Sequence, residues 1–423
     1  MWVGLPIKFR ILLVTMVIAN IGSSIFGPFL VLYVKDLGAD IGQVGLYFTI
    51  MAVAPVAFRI LGGWISDNLG RVQTVAIGSF AGLIGFTMLW LAPNWVWLIP
   101  GGLAMDLGRA LVGTSFRAYT AESADETVRA QVIGFTDSVF LICGIIGPPL
   151  GGLIARVSTY RHLFAVATGF MAVATAVRVW NASDLPFQFG RLKLAKLRTG
   201  LGGIAALILG GGLLTWIFAV DALRDFGYSL SLNLFSLYQK EVGLLGEEQI
   251  GLLAAIGSLT MALLMTFSGR LSDRIGERRM MVFGGMLDVV ALVLFVNVRS
   301  FAGFVAATML MHVAWSFFAP AFNSLLSKAV PAGQLGITYG LFETSLSLIA
   351  MPAPVIGAQL WQHVSPQTPA YVTAGLALVS LLPIWLKFRL PVRADPLGSG
   401  AAAPVAQGSE VVVVEESPDT SEG

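Results

Sequence analysis

Apolar stretches of about 20 residues recur along the whole chain, and lipid hydrocarbon demands about that many helical residues per crossing. They fall near 9–34, 42–66, 72–92, 95–119, 131–155, 160–180, 213–238, 249–269, 279–298, 301–327, 336–361 and 369–389, twelve in all. The start of the seventh is open, because "GLGGIAALILGGG" at 200–212 either begins it or lies along the membrane surface. Composition agrees: the 423 residues are 56% hydrophobic and only 12% charged, against about 25% charged in soluble domains. The expected fold is an all-α polytopic membrane protein with twelve transmembrane helices. Lys8 and Arg10 ahead of "ILLVTMVIANIG" read as a retained first helix rather than a cleaved signal, since no small-residue cleavage site follows.

The same features exclude other classes. A net charge of +2 gives no case for nucleic acid, and Cys143 is the single cysteine, so no internal disulfide forms and a metal site is not expected. No glycine loop followed by Lys-Ser/Thr offers an ATP site, and no Ser/His/Asp set has a plausible context. The chain reads as a non-enzyme without cofactor, working as a monomer in the lipid bilayer. Lys and Arg set the orientation. With both termini cytoplasmic, seventeen lie at inner loops, tails and helix ends, five lie outside, and the remaining four sit within helices. The plasma (cytoplasmic) membrane is the expected location.

"GGWISDNLGR" at 62–71 has an echo in "SGRLSDRIGER" at 268–278, and Asp67 and Asp273 are 206 residues apart. The offset extends well beyond these loops. Gln43, Gly45, Leu46 and Ile50 reappear as Gln249, Gly251, Leu252 and Ile256; Phe116, Gly134 and Pro148 reappear as Phe322, Gly340 and Pro354. The chain therefore reads as two six-helix halves, 1–180 and 201–393, around a basic cytoplasmic linker at 181–200. A polar tail at 394–423 is expected to be disordered. Parallel halves related by an axis along the membrane normal are one of the repeat architectures of secondary transporters.

These residues carry a resemblance. Gly63, Asp67, Gly70 and Arg71 resemble the loop signature between the second and third helices of the major facilitator superfamily. Gly269, Asp273, Gly276 and Arg278 resemble its degenerate second copy. Asn68 stands where that family commonly has a basic residue. "RALVGTS" at 109–115 resembles the fourth-helix pattern of proton-coupled members, keeping Arg109 and Gly113. "GIIGPPLGG" contains Gly147, Pro148, Gly151 and Gly152, similar to the fifth-helix motif of antiporters. The resemblance implies that helices 1, 4, 7 and 10 line a central cavity, and that the loop motif latches the halves in an outward-open state.

Ionisable residues at bilayer depth are costly and usually face a cavity or a partner. Asp106 and Arg109 share a face of helix 4, and Asp221, Arg224 and Asp225 form an i, i+3, i+4 trio on helix 7. That trio is either self-neutralised or functional. At an offset of 205 Asn20 aligns with Asp225, and at 206 Asp106 aligns with His312 and Asp137 with Glu343. A lone Asp288 in helix 9 falls outside the expected site. Asn20, Asp106, Arg109, Asp137, Asp221, Arg224, Asp225, His312 and Glu343 form the expected substrate and proton cavity. Trp315, Phe317 and Phe318 are expected to serve mainly in packing.

Without an ATP site, a proton gradient is the expected energy source. A carboxylate free of a fixed cation in a drying cavity is the better proton carrier, which favours Asp137 and Glu343. The expected function is secondary active transport of a small molecule by alternating access, as proton-coupled efflux of a drug-like or amphipathic compound. Symport or uniport of a sugar or organic anion is the alternative, and a non-transporting sensor on the same fold is a third reading.

Overall fold

The computed structural model describes residues 7–123, 129–182, 211–330 and 345–388. Within them Gly63, Asp67, Asp137 and Asp273 are described as backbone only. Glu343, the 181–200 linker beyond Ala182 and the 394–423 tail lie outside the described residues.

Helices account for nearly all of the described chain. They are α1 (Ile7–Phe26), α2 (Leu30–Asp36), α3 (Ile41–Leu69), α4 (Arg71–Leu91), α5 (Leu98–Ser123), α6 (Arg129–Val157) and α7 (Tyr160–Ala182). After residue 210 come α8 (Leu213–Ser231), α9 (Phe235–Glu241), α10 (Glu247–Ile275), α11 (Glu277–Asn297), α12 (Phe301–Ala329), α13 (Ala353–His363) and α14 (Thr368–Lys387). A 3₁₀ turn at Gly27–Phe29 joins α1 to α2, and one at Leu232–Leu234 joins α8 to α9. Pro28 tightens the first, and the second arises without proline at the corresponding position.

All twelve expected segments contain described helix, and among the described residues eight spans are long and apolar enough to cross a bilayer. Among the helices that do not qualify are α5 and α8. These are the helices in which Asp106, Arg109 and Arg117, and Asp221, Arg224 and Asp225, interrupt the apolar run.

Lipid supplies little hydrophobic force between helices, so close backbone contact holds them together. A Cβ on Gly85 would lie 2.5 Å from the Met105 nitrogen, and one on Gly108 would lie 2.5 Å from the Gly78 oxygen. α4 and α5 therefore touch along their backbones. Helix ends are fixed by local chemistry. Asp40 caps α3 and accepts from Gln43 N–H at 2.8 Å, while Gln43 Oε1 accepts from Asp40 N–H at 2.9 Å. Gln249 repeats the second bond at Gly246, at 3.0 Å.

The repeat recurs in the contacts, at offsets of 205 to 207 residues. Tyr33 donates to the Leu89 carbonyl at 2.9 Å, and Tyr238 donates to the Val296 carbonyl at 2.6 Å. Gly151 presses on the Ile25 carbonyl, and Gly357 presses on that of Leu230. Between the two sets of helices, Gly45 meets the Pro354 carbonyl and Gly251 meets that of Pro148. Each of these contacts is the other with its two ends exchanged, as a two-fold relation requires. The side chains of Lys35 and Glu241 form an ion pair between α2 and α9, which correspond at an offset of 205, so the pair joins positions one residue from equivalence. Positions so near to equivalence can meet only close to the axis.

That pair marks one end of the molecule. The seams α6–α10 and α3–α13 also close near it, through Gly152 on Glu247 and Glu248, Arg156 on Glu248, and Thr49 on the Val355 N–H at 3.2 Å. The opposite end carries the duplicated loops. Gly70 and Gly276 sit at φ 97° and 92°, a left-handed region that disfavours side chains, and each turns one helix directly into the next.

Candidate substrate cavity

The helices between the two seams are α1 and α5 from one set, and α8 and α12 from the other. A cavity of about 830 Å³ is lined by Asn20, Arg109, Phe116, Arg117 and Arg178, with contributions from α4 and α6. A second, of about 550 Å³, is lined by Asp221, Asp225, Tyr228, His312 and Trp315. Both reach toward the Gly70/Gly276 end, the first to Thr120 and the second to Leu326.

Seven of the nine expected cavity residues are described with side chains, and six of those line a cavity. Asn20 donates its side-chain amide to the Met16 carbonyl at 2.8 Å and lines the first cavity. Arg109 is 67% exposed there, with Asp106 a loose partner at 3.7 Å. Asp106 itself corrects the expectation. It lies behind Arg109, 11% exposed, and lines neither cavity. The spacing that puts both on one face of α5 does not put both side chains in the opening, because α5 is pressed against α3 and α4. The Asp137 and Glu343 side chains lie outside the described residues.

Asp221 and Asp225 both line the second cavity, but the self-neutralised trio does not form. Arg224 is 5% exposed and its Nη2 donates to Asp288 Oδ2 of α11 at 2.8 Å. The Tyr228 hydroxyl donates to the other oxygen of Asp288, and Arg224 lies 4.0 Å over the Phe318 ring. Asp288, the lone acid expected outside the site, is thus the counter-ion of Arg224 in the second half. An acid in an otherwise apolar span was the available signal. His312 hydrogen-bonds the Thr308 carbonyl through Nδ1 at 2.8 Å and packs over Gly257, where a Cβ would meet its ring. With Leu232 and Met311 it forms the wall between the second cavity and a third of about 430 Å³. Trp315 is exposed to the second cavity, whereas Phe317 packs on Phe283.

Arg178 escaped the sequence reading. It is buried at the α1–α4–α7 junction, donating to Thr15 Oγ1 at 3.0 Å and Ser79 Oγ at 2.8 Å. Both hydroxyls donate in turn to carbonyls of their own helices, Leu12 and Val75, which leaves their lone pairs facing the guanidinium.

The motif residues fall into two groups. In α6, Gly147 fits against Ser24 and Ile25, Gly151 against Ile25, and Gly152 against α10, with Pro148 and Pro149 inside the helix. At the loops, Arg71 pairs with Glu122 at 2.9 Å and donates to Ser66 at 2.9 Å. In the second copy Glu277 pairs with Lys328 and accepts from Ser324 at 3.0 Å. Arg71 therefore corresponds in place to Glu277, and Glu122 to Lys328, with both signs reversed. Arg278 instead stacks on Trp385, 4.4 Å from the ring centre.

Known proteins place this architecture. The model of the Major Facilitator Superfamily matches residues 12–244 and again 217–413. The chain belongs to that superfamily. The "Multi-drug resistance efflux pump PmrA homolog" of Lactococcus lactis is 23% identical over 88% of this chain and 93% of its own length. The "Quinolone resistance protein NorA" of Staphylococcus aureus is 22% identical over 86% and 92%. The "Tetracycline resistance protein, class G" of Vibrio anguillarum is 26% identical over 74% and 79%. Among solved structures, an auto-inhibited peptide transporter of the POT family superposes with a TM-score of 0.73 at 13% identity, over 92% of this chain and 99% of its own. A D-xylose-proton symporter does so at 0.69 and 14% identity, over 90% and 97%. These two share the fold. As a superfamily member the protein is a multi-pass membrane transporter whose relatives over most of its length are drug-efflux and drug-resistance proteins.

Proposed function

We propose that the protein exports small, drug-like amphipathic compounds across the plasma membrane by proton antiport, using rocker-switch alternating access as a monomer without cofactor. The observation that carries this reading is the pair of charged cavities in α1/α5 and α8/α12, in a chain related along most of its length to efflux pumps. The excess of Lys and Arg assigns the Gly70/Gly276 end, both termini and the 181–200 linker to the cytoplasm. Residues 1–180 and 201–393 are then the moving halves, and the closed Lys35/Glu241 end faces outward in an inward-open state. Asp137 and Glu343 are the assigned proton carriers, Arg109, Asp221 and Asp225 the substrate contacts. Gly63, Asp67, Gly269 and Asp273 belong to the latch of the opposite state.

Proteoliposomes with an imposed pH gradient test it. Accumulation of a quinolone, a tetracycline or a lipophilic dye should follow the gradient and collapse with a protonophore. Asp137→Asn and Glu343→Gln should abolish pH-driven accumulation yet keep downhill exchange, and Arg109→Ala should lose binding. Gradient-insensitive movement of all three compounds, or full coupling in both acid variants, refutes the assignment.

A further inference from the structure

The two cavity walls carry opposite charge. Among the described residues lining the first cavity the charged ones are Arg109, Arg117 and Arg178. The second is lined by Asp221, Asp225 and Arg224, and the charge of Arg224 is met by Asp288 behind it. Arg109 and Arg117 on one wall and Asp225 on the other are exposed.

The walls also match in depth. Gly108 packs on the backbone of Gly78 and Gly82, and Arg178 ties Ser79 to Thr15, so Arg109 and Thr15 lie at about one level of the first half. The offset of 205 between α1 and α8 takes Met16, next to Thr15, to Asp221, and the offset of 206 between α5 and α12 takes Arg109 to Trp315. A guanidinium on one wall therefore stands at the level of a carboxylate and an exposed indole on the other. Guanidinium and indole both stack on aromatic rings, and the remaining charges sit to either side.

We propose that the substrate is an aromatic zwitterion bridging the halves, its anionic group on Arg109 and Arg117, its cationic group on Asp221 and Asp225, and its ring against Trp315. This narrows the efflux reading to a substrate class and rests on it for transport, though not for binding. A molecule with both charges draws on both walls, whereas one with a single charge leaves one wall without a partner in a cavity it has partly emptied of water. Losing a charge-assisted bond of this kind is worth roughly tenfold in affinity. Bridging also couples the substrate to the relative position of the halves, which a molecule bound to one wall does not sense.

The test uses the full chain in lipid nanodiscs and three probes: a quinolone with free carboxylate and free piperazine amine, its ethyl ester (a cation), and its N-acetyl form (an anion). Binding is read by quenching of tryptophan fluorescence. The zwitterion should bind at least tenfold more tightly than either blocked form. Arg109→Gln should erase its advantage over the ester alone, and Asp225→Asn its advantage over the N-acetyl form alone. Asp221→Asn gives a second carboxylate readout should Asp225→Asn fail to yield a monodisperse protein. Equal binding of all three, an ester that binds best, or variants that weaken the three probes in parallel overturns the proposal. In those cases pH-driven export of the ester would still support the efflux reading, and its absence as well would remove both.

Discussion

Arg178 and Arg224 occupy corresponding three-helix junctions, α1–α4–α7 in one half and α8–α11–α14 in the other, but they are neutralised differently. Arg178 comes from the last helix of its half and is held by hydroxyl and carbonyl dipoles; among the described residues no carboxylate pairs with it. Arg224 comes from the first helix of its half and pairs with Asp288, with Ser380 Oγ at 3.4 Å. The junction needs something polar to fill it, and duplication has left each half to solve that separately. The consequence reaches the cavities. Asp288 cancels the cation of the second half, so that wall is acidic through Asp221 and Asp225. Arg178 instead adds to the basic character of the first.

The largest effects should come from breaking this difference. Asp288→Asn strands a buried guanidinium, and removal of one partner of such a pair costs about 3–5 kcal/mol. Thermal unfolding in detergent should show it as the least stable variant. Replacing the pair together, Asp288→Leu with Arg224→Met, should recover most of the loss. Arg178→Met should cost only about 1–2 kcal/mol, because Thr15 and Ser79 keep their carbonyl partners and no charge is stranded. If Arg178→Met proves as damaging as Asp288→Asn, the first junction holds a counter-charge and the contrast fails.

The sequence revealed what is periodic and local. Long apolar runs announce helices because lipid leaves the backbone no alternative, and the repeat was visible because the contacts that use it, Gly45 on Pro354 and Gly251 on Pro148, require those residue types. Pairings across helices were hidden. Spacing on α8 put Arg224 beside Asp221 and Asp225, but its long side chain reaches to a helix 64 residues further on. Matching by charge aligned Arg71 with Arg278, whereas position aligns it with Glu277, since duplicated pairs conserve attraction rather than sign. Asp106 shows the limit of a helical face: two residues share it, and only one reaches the opening.

The duplicated turns allow a smaller test. Gly70 and Gly276 have nearly the same positive φ, and alanine there costs about 1–2 kcal/mol from backbone strain alone. A Cβ on Gly70 would also meet the Gln73 amide, whereas one on Gly276 meets nothing within 4 Å. Gly70→Ala should therefore lower the melting temperature more than Gly276→Ala. The reverse order would mean that the second loop carries the tighter packing.

Close to the axis, Lys35 and Glu241 are partly exposed, and exposed pairs contribute about 0–1 kcal/mol. Lys35→Glu should thus shift the closed population by no more than about fivefold. Faster labelling of a cysteine placed at Asn233, in the third cavity, reads the shift. Lys35→Glu with Glu241→Lys should restore the wild-type rate. A double variant that labels as fast as the single would assign the closure to the seams instead.

The smallest effect on stability is expected at the sign-reversed pairs. Combining Arg71→Glu with Glu122→Lys keeps an ion pair in place, so the melting temperature should stay within about 1–2 °C, as befits an exposed contact. Its symmetry is what changes. If the two loops close against each other across the axis, each of these positions approaches its own counterpart. Reversed signs let Arg71 meet Glu277, and Glu122 meet Lys328, as attractions. After the swap, a carboxylate at position 71 approaches Glu277 and an ammonium at position 122 approaches Lys328, both repulsions. Transport should slow several-fold while stability does not, and the deficit should shrink as ionic strength rises and the charges are screened. Swapping Glu277→Lys with Lys328→Glu as well restores opposite signs across the axis and should restore the rate. A slow quadruple variant, or a double variant at full speed, would show that these pairs serve only their own halves.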